Sequence, residues 1–176
     1  MSRRASAERP DAASGLTQKW HHFVDRDGQA SVRTEINDIV MNVPTPNGRE
    51  PGIFEWTRRQ GELKSLIERA ERGDLQEGDD AHPHSDWSPV RRNPLLRELR
   101  WRMQARTEAR FYFSEPPETP GKIIGLRLHI KDTTGSDQDV SFKQNLEMDV
   151  AGDRLEQGRG WAWGVPTCTL PCCTRA

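Results

Sequence analysis

The stretch KIIGLRLHIK, residues 122–131, alternates apolar and polar side chains with a period of two. Ile124, Leu126, Leu128 and Ile130 fall in one row and Gly125, Arg127, His129 and Lys131 in the other, the pattern of a strand with one face on a core and one toward water. Two upstream runs sort the same way. In ARFYFS, residues 109–114, Phe111 and Phe113 join the apolar row and leave Arg110 and Tyr112 opposite; in LLRELRW, residues 95–101, Leu99 and Trp101 are core, with Glu98 and Arg100 outside. The connection between the second and third runs carries Pro116, Pro117, Pro120 and Gly121. Such residues make turns rather than a crossover helix, so the strands are expected to pair antiparallel.

Outward from this sheet, Val32, Ile36, Ile39, Val40 and Val43 follow helical spacing, with Ser31 as N-cap and Pro44 and Pro46 as the stop. A second helix is expected from about Phe54 to Arg72, where Leu63, Leu66, Ile67 and Ala70 form one stripe and Gly73 is placed to end it. Gln18 to Val24, with Trp20 and Phe23, reads as a first strand, and residues 74–87 as an acidic loop. Phe142, Leu146, Val150, Ala151 and Leu155 point to a last, short helix over about 142–156. The expected fold is α+β: two N-terminal helices packed on a small antiparallel sheet of about four strands, with a short C-terminal helix. Residues 1–15 are expected to form a disordered tail, 16–157 one domain, and 158–176 an irregular C-terminal tail.

Of the 176 residues, 33% are hydrophobic and 30% charged, which implies a small core in a single domain. No run of about 18 apolar residues is present to span a bilayer, and residues 1–15 lack the apolar stretch of a leader, so a cytoplasmic protein is expected. Cys168, Cys172 and Cys173 cluster at the end, where they cannot staple the fold. The net charge of −1 hides an asymmetry. Residues 88–131 carry ten basic side chains against four acidic ones, and residues 60–86 three against eight. The first segment suits a polyanion and the second repels one. On the outer sheet face, Arg100, Arg110, Arg127, His129 and Lys131 could grip phosphates while Tyr112 stacks on a base. The same alternation also describes an ordinary solvated face.

Several stretches resemble the RelE/HigB (Gp49-like) family of small RNA-cleaving toxins. DGQASVRTEI (27–36) is similar to the opening of that family's first helix, LRELRW (96–101) to its Leu-x-Glu-Leu-Arg strand, and ARFYF (109–113) to its Tyr-Arg strand. KIIGLRLHIKD (122–132) resembles its final strand and VAGDRLEQ (150–157) its closing helix, with Asp132 replacing the second lysine of the family's terminal pair. The resemblance implies a metal-independent endoribonuclease that cuts mRNA, often on the ribosome, without a cofactor, and is silenced by a cognate antitoxin. It also implies functional roles for Arg100, Arg110 and Lys131. Attack by a ribose 2′-hydroxyl needs a base, donors for the charge growing on phosphorus, and an acid for the leaving oxygen. Arg100 and Arg110 are assigned to phosphate and His129 or Lys131 to proton transfer, with Arg97, Tyr112 and Arg127 holding RNA. The alternative is a binding protein of the same fold without catalysis: a ParE-like gyrase inhibitor or a phage-encoded relative.

Other signals are weaker. Asp25 and Asp27 open something like a calcium loop, but Ala30 stands where glycine is needed. His82, His84 and Asp86 lack further ligands, so no metal site is expected. A GxxxxGK[ST] phosphate loop, a strand-linked GxGxxG and an HExxH helix are all missing.

Overall fold

A computed structural model describes residues 18–28, 31–78, 86–104, 107–132 and 135–165. The two outer tails through residue 17 and from 166, with the three cysteines, lie outside this set, as do Ala30, His82 and His84. The element order is β1 (Lys19–His22), α1 (Val32–Asn42), α2 (Ile53–Arg72), β2 (Trp87–Pro89), β3 (Arg97–Gln104), β4 (Thr107–Ser114), β5 (Lys122–Ile130) and α3 (Asp137–Gly158). A 3-10 turn follows over Arg159–Gly164. The fold is α+β, built on a five-stranded mixed sheet in the order β1-β5-β4-β3-β2.

Two features of the sheet differ from expectation. The strand count is five because Trp87–Pro89, starting at the last residue of the expected acidic loop and not expected as a strand, pairs antiparallel with β3. Its three residues are too few to show a period, and Pro89 is tolerated because the strand lies at an edge. The sheet is also not wholly antiparallel, since β1 runs parallel to β5. Hairpins force antiparallel pairing only between neighbours in sequence; β1 is separated from β5 by two helices and three strands, so its direction is free of that constraint.

The alternation within β5 is interrupted. Tyr112 faces Arg127, but Phe113 faces Gly125, so Leu126 is an extra, bulged residue. Up to the bulge, Ile123 and Gly125 share the face of Phe111, Phe113 and Trp20; beyond it, Leu128 does. Ile124 therefore does not continue the row of Leu128 and Ile130. Gly125 is needed there because a Cβ would come within 2.7 Å of the Phe111 ring and 2.9 Å of Trp20.

Helix α2 packs Leu63, Leu66 and Ala70 into this aromatic core and ends at Gly73, whose φ of 76° glycine adopts without strain. Arg59, fully buried, donates to the carbonyls of Val40 (3.1 Å) and Val43 (2.7 Å) and so satisfies the C-terminal end of α1. Glu35 of α1 closes the β5 edge beyond β1 by accepting from the Leu128 amide (2.8 Å).

Helix α3 is not short. It spans 22 residues, opened by a Ser136–Asp139 capping box, and crosses the opposite sheet face. Only part of its apolar set is used: Ala151 and Leu155 are buried, whereas Phe142, Leu146 and Val150 face solvent. The segment after Gly158 folds back over the domain, with Trp163 buried and its indole N–H donated to the Leu155 carbonyl (2.8 Å). Gly158 makes room for that ring, since a Cβ would fall 2.0 Å from Trp163.

Candidate functional site

Register places Glu98, Arg100, Arg110, Tyr112, Arg127 and His129 on one sheet face. That face is not solvated, because α3 lies across it. Gln144 donates to Glu98 (3.1 Å), Arg127 donates to Glu147 (2.6 Å), and Arg154 donates to the Leu126 carbonyl (2.7 Å). Tyr112 is fully buried and Arg110 is 6% exposed. An alternating strand announces that two faces differ, but not that the polar one meets water; a helix carrying matching polar groups covers it equally well.

Where α3 stops short of the β2–β3 edge, a cleft of about 680 Å³ remains. Arg100, Arg110 and Lys131 reach it from the sheet, Arg91 and Arg92 from the loop after β2, and Gln144, Asn145 and Met148 from α3. The structure thus brings together three of the four residues assigned to catalysis from the sequence. At its floor lies Glu98, 4% exposed, which the sequence reading had turned outward without a role. Its carboxylate accepts from Arg110 Nη1, from Arg100 Nε at 3.4 Å and from Gln144. Arg110 also pairs with Glu108 at 2.5 Å, and Arg100 donates to Ser88 at 3.3 Å.

Lys131 has a different setting. Among the described residues its ammonium makes no hydrogen bond or ion pair, and it is half-buried. Burial, then the nearby Arg110, lowers its pKa below the ordinary lysine value, partly opposed by Glu108 and reinforced by Arg100. A lysine so placed has a larger neutral fraction than an exposed lysine at the same pH.

The remaining assigned residues lie elsewhere. His129 sits under α3 in a small neighbouring cavity that shares Lys131 and Gln144 with the cleft. Its ring stacks on Tyr112 (centroids 5.5 Å apart, planes at 21°), Nδ1 lies 3.1 Å from the Ile130 carbonyl, and Nε2 is buried with no hydrogen-bond partner among the described residues. Burial pushes its pKa down, which favours the neutral ring. Tyr112 therefore offers its ring to His129 rather than to a base. Arg127 bridges α1 and α3 through Glu35 and Glu147, a structural clamp. Arg97 is on the opposite face, over the Trp87 ring at 5.0 Å and 3.6 Å from Glu115. Arg91, Arg92, Gln144 and Asn145 carried no signal beyond local charge, since their convergence depends on how α3 crosses the sheet.

Among the described residues no group of three or more His, Cys, Asp or Glu is arranged to hold a metal ion, and no helix is long and apolar enough to cross a membrane. No family model, curated protein or solved structure matches the chain.

Proposed function

We propose that this protein is the toxin of a toxin–antitoxin pair, an endoribonuclease that binds the phosphodiester backbone of mRNA in the cleft and cleaves it by 2′-hydroxyl attack. One observation carries the reading: Arg100, Arg110 and Lys131, singled out by the likeness to RelE/HigB toxins, converge on a single basic cleft. Neutral Lys131 takes the proton of the attacking hydroxyl. The 2′-oxygen bonds to phosphorus as the bond to the 5′-oxygen breaks, leaving a 2′,3′-cyclic phosphate and a 5′-hydroxyl whose proton comes from water in the open cleft. Arg100 and Arg110 donate to the phosphoryl oxygens, where negative charge grows. An antitoxin with an apolar helical segment suits the exposed Phe142, Leu146 and Val150 beside the cleft.

A second reading, binding without cleavage, is favoured by one feature. Glu98 already engages both Arg100 and Arg110, and the histidine best suited to proton transfer lies outside the cleft. The two separate in an assay of free and ribosome-bound message, scored for 2′,3′-cyclic phosphate ends. Cleavage that falls by about 100-fold or more in Lys131→Ala supports the nuclease. RNA bound but left intact supports the second reading. RNA neither bound nor cut ends the nuclease reading and leaves a binding protein whose partner is not RNA.

A further inference from the structure

The α3 wall of the cleft contains an amide with no structural job. Asn145 is half-buried and lines the cleft, yet among the described residues its side chain makes no hydrogen bond. Its neighbour Gln144 is committed to Glu98. One turn along α3, Met148 lines the same cleft, as does the exposed Pro89 on the β2 side. The cleft therefore has two chemically distinct parts: a cationic floor of Arg100, Arg110 and Lys131, and a wall that combines a free donor–acceptor pair with a thioether and aliphatic surface.

We propose that this wall is a nucleobase subsite, in which Asn145 reads the edge of one unpaired base resting on Met148 and Pro89. The inference rests on the RNA reading above and names what that site selects. An amide offers one donor and one acceptor side by side, the pattern that matches a base edge, and bidentate pairing of this kind discriminates between bases. Polarizable sulfur packs well on an aromatic ring, which matters because among the described residues the cleft lining contains no aromatic side chain to stack on a base. A paired base in an A-form duplex keeps its edge occupied, so the substrate class is single-stranded RNA with a base turned out of its stack. The phosphate floor fixes register without sequence information; Asn145 supplies the sequence preference.

The experiment uses 2′-O-methyl decamers, which lack the attacking hydroxyl, with a fluorescent 5′ label: A10, C10, U10 and an abasic sugar-phosphate decamer. Fluorescence anisotropy gives the affinity of each. The wild-type protein should bind its preferred homopolymer on the order of 10-fold more tightly than the abasic chain. Asn145→Ala should lower that preference toward the abasic level while leaving abasic affinity unchanged. Asn145→Asp, which keeps the size but loses the donor, should reorder the homopolymers. Arg100→Ala should weaken all four probes together. Thermal unfolding of each variant confirms the fold. If Asn145→Ala keeps the wild-type base preference, or if the wild type binds the abasic chain as well as its best homopolymer, the subsite is wrong while RNA binding stands. If the wild type binds none of the four, the RNA reading itself fails and the subsite falls with it.

Discussion

Replacing Glu98 by alanine tests whether the cleft floor is a buried charge network or a set of independent surface charges. The carboxylate is 4% exposed and receives donors from Arg110, Arg100 and Gln144, while its main partner Arg110 is itself 6% exposed. Removing one member of a buried ion pair costs about 3–5 kcal/mol, because the survivor stays desolvated and uncompensated. Here Arg110 keeps Glu108 and Arg100 keeps Ser88, so the low end applies. A loss of about 3 kcal/mol lowers the midpoint of thermal unfolding by roughly 6–12 °C for a domain of this size. Arg110→Met alone should cost a similar amount. In the double variant Glu98→Ala/Arg110→Met neither charge is stranded, and stability should recover toward the wild-type value. Urea unfolding of the four proteins gives the coupling energy. A Glu98→Ala cost below about 1 kcal/mol, typical of an exposed pair, would refute burial of this network, as would a double variant no better than the sum of the singles.

Acid stability follows from the histidines. His22, stacked on Phe111 and accepting from the Trp20 indole, is pushed down to about 4 by burial and then by Arg33, and His21 and His129 are also lowered. A folded pKa below the unfolded value of about 6.5 stabilises above that value and is lost as pH falls through the folded one. Stability to urea should therefore drop between about pH 6.5 and 4, and His22→Gln should flatten much of the fall; a flat wild-type profile would show that these rings are not held neutral. At the cleft rim, Arg92 is gripped in a bidentate pair by Asp149 at 2.7 and 2.9 Å. Asp149→Asn frees that guanidinium, so single-stranded RNA should bind more tightly with a log K versus log[salt] slope steeper by about 0.7. An unchanged slope would place Arg92 off the RNA path.

The sequence by itself determined most of the elements and the sign of the charge that gathers in the cleft. Period-two alternation fixed β3, β4 and β5, and the 3.6-residue stripe and Gly73 fixed α2, because these signals are local: each depends on side chains a few residues apart. The density of arginines marked the basic segment for the same reason. Tertiary structure decided which of those residues meet. The bulge at Leu126 shifts the face of half a strand, and nothing in an alternating string marks where an extra residue will sit. Strand β1 joins β5 in parallel across two helices and three strands. Above all, α3 settles on the polar face through Gln144, Glu147 and Arg154, covering Tyr112 and His129 and leaving open the strip where Arg100, Arg110, Lys131 and Asn145 converge. The polar groups of a helix and of a strand look equally solvated when read one at a time; whether they face water or each other is decided only when the layers pack.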